Sequence, residues 1–185
     1  MIKTARAKGT AYLKSGEADL LVGPYDVHES FYHRHLLDDH YVCVMHRGHR
    51  LADRRLRVED YVKASHAVVT YGGTWRSELD ERGLSLTLVV AIPSISDLTH
   101  ILPATDLIST VPSRIASNIA TSVVATSCPL PEPFQIGMTW TNRPIIPAAH
   151  RWLRQLIGRT ARALPYKAAP AAPTGRSGSG ANSRD

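Results

Sequence analysis

Short apolar runs alternate with helix-like segments between about residues 10 and 165. Leu20-Leu21-Val22 reads as a brief buried strand that ends at Gly23-Pro24. Tyr41-Val42-Cys43-Val44-Met45 and Ala67-Val68-Val69-Thr70 are rich in β-branched or aromatic residues, as strands are. Leu86 to Ile92, Asp106 to Val111 and Gln135 to Trp140 complete the predicted strands. These runs are continuous rather than alternating, which predicts strands covered on both faces, as in a parallel α/β sheet.

Helices are predicted from their ends. Thr74 can cap a helix carrying Trp75 and Leu79, with Gly83 as its left-handed stop. Ser94-Ile95-Ser96-Asp97 has capping-box spacing and opens a segment through Leu102. Pro112 stands at a first-turn position ahead of Arg114 to Ile119. Pro147 opens the clearest helix, with Ala149, Trp152, Leu153, Leu156, Ile157 and Leu164 in one apolar stripe. Strand-helix-strand alternation of this kind predicts an α/β fold.

Three junctions repeat one design: a strand ends, a loop of Gly, Pro, Ser or Thr follows, and a helix begins. They are Thr70-Tyr71-Gly72-Gly73-Thr74, Ile92-Pro93-Ser94-Ile95-Ser96 and Thr110-Val111-Pro112-Ser113. Ligands of parallel sheets sit beyond the carboxyl ends of the strands, where helix N–H groups and hydroxyls favour anions. A small carboxylate or phenolic acid fits that chemistry. Helix capping is the commoner role of any one such Ser or Thr, so a site requires all three junctions to open on one side of one sheet.

Charge adds less than its total suggests. The formal charge is +6 over 185 residues, but residues 1–14 hold +4 and residues 151–185 hold +6, leaving −4 in the body. The basic surplus lies at the two ends rather than on a folded face, so direct contact with DNA is not expected. No apolar run reaches the roughly 18–20 residues of a membrane span, and residues 1–8 lack a secretory apolar stretch. The expectation is a cytoplasmic protein without membrane contact. From about Lys167 the chain is Ala, Pro, Gly and Ser with little to bury, and reads as a disordered tail.

Other chemistry is weighed and set aside. Cys43 and Cys128 lie far apart outside any Cys-x-x-Cys pattern and read as packed thiols. Six histidines fall within residues 28–49, but their spacing matches no recognised metal set, and Asp38 and Asp39 beside them look generic. Ser96, Asp97 and His100 share one turn, whereas hydrolase triads assemble from distant segments. Gly72-Gly73-Thr74 lacks the lysine of a phosphate loop. No cofactor, no metal and no enzymatic activity are expected.

In order, the segments resemble the effector-binding domain of LysR-type transcriptional regulators over about residues 12–158. Leu13 to Leu21 resembles the family's leucine, glycine, acid, aspartate, apolar step. Leu36-Leu37-Asp38-Asp39, Tyr41 to Val44 and His49-Arg50-Leu51-Ala52 resemble its strand and His-Pro-Leu-Ala element, with Arg50 at the proline. Asp60-Tyr61 with His66 to Val69 resembles the crossing into the second lobe. Leu79 to Leu84 and Leu88 to Ser94 match the helix and strand before the pocket. Thr105 to Pro112 with Arg114-Ile115-Ala116 is the most specific piece. Pro129-Leu130-Pro131, Trp140 and Ala148 to Arg154 complete the series, with Ile146 in place of an acid.

The resemblance implies a two-lobed α/β fold like the type 2 periplasmic binding proteins, with an effector in the cleft. Residues 1–10 would be a basic segment, 11–65 with 133–164 lobe one, 66–132 lobe two, and 165–185 the tail. Thr70, Tyr71, Gly72, Ser94, Ser96 and Thr110 would face the cleft from lobe two, and Gly23, Pro24 and Tyr25 from lobe one. The guest would be a small organic acid or aromatic carboxylate. Against the family pattern, the winged helix-turn-helix and the first strand-helix-strand of lobe one are missing, so lobe one reads as incomplete. Either a misassigned start or a gene fragment would give that. Such a chain would act through a homo-oligomer or a full-length regulator that carries the DNA reader; the alternative is a stand-alone cytosolic binding protein for a small organic acid.

Overall fold

In the computed structural model of the protein, residues 6–25, 29–70, 79, 81–121, 123–129, 133–141 and 148–164 are described. The strands are β1 (Leu21–Pro24), β2 (Phe31–Asp39), β3 (Tyr41–Met45), β4 (Ser65–Val69), β5 (Thr87–Ile92), β6 (Ser109–Pro112), β7 (Val124–Ser127) and β8 (Phe134–Thr141). The α-helices are α1 (Arg6–Ser15), α2 (Val58–Lys63), α3 (Leu98–Ile101), α4 (Ser113–Ile119) and α5 (Ala148–Ala163), with 3₁₀ turns at Ile95–Asp97 and Leu102–Ala104 on either side of α3. The loop and helix start predicted around Thr74 lie largely outside the described residues, as do Pro147 and the tail from 165.

Three sheets form. β1, β8 and β2 pair antiparallel in that order, β6, β3 and β7 pair antiparallel, and β4 pairs parallel with β5. Among the described residues the predicted parallel arrangement holds for β4 and β5, with one further parallel bridge between His66 and Ile108. β3 is buried at all five positions and yet antiparallel. Its burial comes from alternation. Tyr41, Cys43 and Met45 enter one core with Leu51, Leu56, Tyr61 and Val68. Val42 and Val44 enter another with Ala67, Ile92, Leu98, Leu102 and Val111. Successive side chains of a strand point to opposite faces, so a strand between two cores is apolar throughout whatever its direction.

The expected boundary at residue 65 does not follow the pairing. β3 pairs with β6 and β7, so the chain leaves the β1-β8-β2 sheet at His40 and returns between β7 and β8. At that crossing Tyr41 packs on Phe134, with ring centroids 4.6 Å apart. Nothing local in Tyr41–Met45 reveals partners more than sixty residues downstream.

Two further expectations change. β5 is predicted as buried, but Leu88 and Val89 are 46% and 59% exposed on an edge strand. α5 forms over Ala148–Ala163, yet its stripe faces outward: Trp152 is 57% exposed, and Leu153, Leu156 and Leu164 are also exposed. The helix meets the sheet through Gly158, where an added Cβ would lie 3.1 Å from the Arg34 guanidinium, and through Arg154, which lies 4.5 Å from the Trp140 ring centre. α1, which the sequence pattern did not predict, ends at Gly16 (φ +84°). The Gly16 and Ala18 N–H groups both donate to the Tyr12 carbonyl there, a left-handed stop open to glycine.

Candidate functional site

The parallel register sets the first part of the site. Ser65 lies opposite Thr87 and Val69 opposite Ile92, so β4 and β5 end side by side. Thr70, one residue past β4, donates its N–H (2.9 Å) and its hydroxyl (3.2 Å) to the Ile92 carbonyl. Ser94, two residues past Ile92, has an extended backbone, and its Oγ accepts the Ser96 N–H (3.3 Å). That bond uses an oxygen lone pair and leaves the Ser94 hydroxyl proton available to an acceptor. Asp97 N–H closes the turn on the Ser94 carbonyl (3.2 Å). Thr70, Ser94 and Ser96 are thus gathered at one end of the sheet, with Thr70 and Ser96 exposed. Tyr71 and Gly72, which follow Thr70, lie outside the described residues.

The third junction also runs alongside. Ile108 bridges His66 in parallel, with Ala67 N–H on the Ile108 carbonyl and Ile108 N–H on the Ser65 carbonyl, both 2.9 Å. Its chemistry differs from the expectation. Thr110 points into the core, 7% exposed, and its hydroxyl bonds the Tyr61 hydroxyl at 2.8 Å. Strand alternation assigns it to the Cys43 face, so its hydroxyl is already engaged inside the fold. Burial, together with the nearby Cys128 and Cys43 thiols, holds the Tyr61 phenol far above its ordinary pKa.

The start of α4 already has its anion. Asp39, 3% exposed at the end of β2, accepts the Ser113 hydroxyl (2.5 Å), the His40 N–H (2.8 Å) and, at longer range, the Arg114 N–H (3.5 Å). Ser113 N–H in turn donates to the His40 carbonyl (2.8 Å). The carboxylate supplies the cap that Pro112, without a side-chain cap bond of its own, cannot. It also pins the crossing between sheets to the end of β6. Sequence reasoning passed over Asp39. The available signal was an acid at the end of an extended segment, just before a fully apolar strand.

Pro24 and Tyr25 sit on the other sheet. Pro24 pairs with Ile136 and Gly23 with Gly137. The Tyr25 ring stacks on His33, centroids 5.5 Å apart, and its hydroxyl donates to Gln135 Oε1 (3.4 Å). It lies over Gly137, where a Cβ would fall 2.4 Å from Tyr25 Cε1. No bond or ring contact among the described residues joins Tyr25 to Thr70 or Ser94. Cavities of 1030 and 570 Å³ lie elsewhere, the first along Arg54 to Asp60 and the second along His35 to His40 with Arg114.

Four of the clustered histidines, His33, His35, His46 and His49, act as local fasteners. His33 bonds Thr139 Oγ1 (3.0 Å) and His35 bonds Asp38 (3.1 Å). His46 Nδ1 accepts the Gly48 N–H, which places its proton on Nε2, facing Asp106 at 3.1 Å. His49 Nδ1 accepts the Leu51 N–H, and its Nε2 donates to the Asp106 carbonyl (3.3 Å). Burial lowers the His49 pKa. Among the described residues no group of three or more His, Cys, Asp or Glu is placed to hold a metal, and no helix is long and apolar enough to cross a membrane.

The family profile for the LysR substrate binding domain matches residues 7–162. The chain belongs to that family. A transcriptional activator of Pseudomonas putida, HTH-type NahR, is 32% identical, with 78% of this chain and 51% of that protein covered. Nodulation protein D 2 of Rhizobium tropici is 27% identical, covering 85% and 53%. The chain therefore spans about half the length of the curated relatives it matches. The regulatory domain of Synechocystis CcmR, solved with 2-PG, superposes with a TM-score of 0.73 at 10% identity, covering 88% of this chain and 83% of that one. The QuiR effector-binding domain, solved with shikimate, gives 0.69 at 18% identity, covering 86% and 79%. At these identities the superpositions establish the fold, the type 2 periplasmic-binding-protein arrangement. The domain is of the effector-sensing kind found in LysR-type regulators, and a stand-alone binding protein is not favoured. Its relatives are regulators of transcription, not enzymes.

Proposed function

We propose that the chain senses a small organic acid or aromatic carboxylate at the shared end of β4 and β5. The observation that supports this is the parallel register that brings Thr70 and Ser94 together, with the Ser94 hydroxyl proton and the exposed Ser96 hydroxyl available as donors. Tyr71 and Gly72, expected from the sequence to join them, follow Thr70 in the chain and lie outside the described residues. Pro24 and Tyr25 form the opposing wall from the β1-β8-β2 sheet, an apolar ring surface suited to an aromatic guest. Thr110 is left out, because its hydroxyl is engaged with Tyr61. The occupied domain then signals through a homo-oligomer or a full-length regulator that contacts DNA.

The test is thermal-shift titration with benzoate, shikimate and succinate. One of them should give a saturable rise in Tm, following the mass-action law for a ligand that binds only the folded state. The Ser94→Ala, Ser96→Ala pair should weaken that ligand about tenfold or more, the scale of lost charge-assisted hydrogen bonds of about 1.5–3 kcal/mol. Unchanged affinity in the pair would remove the assignment.

A further inference from the structure

The larger cavity, 1030 Å³, is not part of the site above. It is lined by Arg54, Arg55, Leu56, Arg57, Val58 and Asp60 on one side, and by the exit of β7, Ser127 to Pro129, on the other. Three guanidinium groups from four consecutive residues meet a single carboxylate there. Arg54 pairs with Asp60 at 3.7 Å. Arg55 and Arg57 have no acidic partner among the described residues, and both are exposed. This concentration of positive charge stands out because residues 15–150 carry −4.

Leu56, between these arginines, is 3% exposed and anchors the run in the Cys43 and Tyr61 core. The backbone is tied as well, the Arg54 carbonyl accepting the Thr126 hydroxyl (3.3 Å). The guanidiniums thus project from a backbone fixed at both faces. Unpaired arginines on a fixed backbone suit anions with several oxygens in a plane, which the guanidinium fork binds two at a time. The volume suits a metabolite-sized guest.

We propose that this cavity is a second ligand site, for a compact polyanion bearing phosphate or several carboxylates. Its place gives it a consequence. Pro129 opens the segment by which the chain returns to β8, so a ligand held between Arg55, Arg57 and Ser127 to Pro129 braces one of the two crossings between the sheets. Occupancy there is an input separate from the acid at Thr70 and Ser94, and the inference does not depend on that assignment.

Cys128 supplies a reporter. It lines the cavity and is partly exposed, whereas its neighbour Cys43 is fully buried and the two are unbridged. The experiment is calorimetric titration of the full chain with inorganic pyrophosphate at constant ionic strength, paired with iodoacetamide labelling of Cys128 followed by mass spectrometry. The expected result is saturable binding and a labelling rate slowed about tenfold at ten times the dissociation constant, since the free fraction falls in that proportion. Binding and protection should both vanish in the Arg55→Ala, Arg57→Ala variant. Both side chains are exposed, so the variant folds, and an unchanged Tm without ligand verifies this. Absence of saturable binding overturns the proposal. So does binding that persists in the double variant, or heats that sodium chloride at matched ionic strength reproduces, because screening alone is then the cause.

Discussion

Asp39 provides the sharpest check on the structural account. Its carboxylate is 3% exposed and takes two short bonds, from the Ser113 hydroxyl and the His40 N–H, and one long bond from the Arg114 N–H. Hydrogen bonds to a charged acceptor contribute about 1.5–3 kcal/mol each, and such values do not add in full. Asp39→Ala also leaves buried donors without an acceptor and removes the cap of α4. The expected loss is therefore about 3–4 kcal/mol, which lowers Tm by roughly 6–16 °C in a chain of this size. Asp38→Ala is the control. Asp38 is next in sequence, but its side chain is 69% exposed and its partner is His35. Exposed pairs of that kind contribute about 0–1 kcal/mol. Urea unfolding followed by circular dichroism, with Asp39→Asn as a third variant, separates the two acids. Asn keeps one acceptor oxygen but turns an amide donor toward other donors, so it should fall between wild type and Ala. Equal losses for Asp38→Ala and Asp39→Ala would refute the latch.

Two more outcomes follow from the packing. His66 is fully buried; its Nε2 proton goes to the Tyr61 carbonyl (2.7 Å), its Nδ1 has no partner among the described residues, and burial lowers its pKa below 6.5. Above pH 6.5 folded and unfolded chains both hold it neutral; as pH falls below that value only the unfolded chain takes the proton, and stability drops by up to about 1.4 kcal/mol per pH unit until the folded-state pKa is reached. His66→Gln keeps a donor for Tyr61 but cannot titrate, so chemical denaturation between pH 7 and 5 should show a shallower fall, the remainder coming from His49; an unchanged slope would exclude His66 as a source. Gly137→Ala sets a Cβ 2.4 Å from the Tyr25 ring and 2.8 Å from the Arg34 carbonyl, so the ring must leave its seat at a cost of about 1–3 kcal/mol. A thermal scan should show lower stability, and a Tm at or above wild type would show that Tyr25 is not seated there.

The β3 core and the ends of β4 and β5 were legible because each is carried by a short, dense apolar run, that of β5 followed at once by Pro93 and Ser94. β2 was hard to see, because Tyr32, His33, Arg34 and His35 interrupt any apolar alternation and β8 supplies the stabilising partner. The stripe of α5 announced the helix correctly, but amphipathicity states only which face is apolar, not whether anything covers it. Thr110 looked like a junction hydroxyl because its position matched the others. Only the register with Cys43 shows that it faces Tyr61. Asp39 and Asp38 are indistinguishable in composition, and tertiary pairing with Ser113, far along the chain, separates them. The two cysteines, far apart in sequence, proved to be neighbours: Cys43 is fully buried, which raises its pKa, and Cys128 lies close enough to raise it further.

The central claim is that an organic acid docks where β4 and β5 end together. Amide NMR during titration with benzoate, or whichever acid raises Tm, addresses it residue by residue. Saturable shifts at Thr70 and at Ser94 to Asp97 are predicted, with those of His40 and Ser113 small by comparison, because Asp39 already occupies that helix start. Saturation confined to other segments, such as Arg54 to Val58, with Thr70 and Ser94 unmoved, would contradict the account.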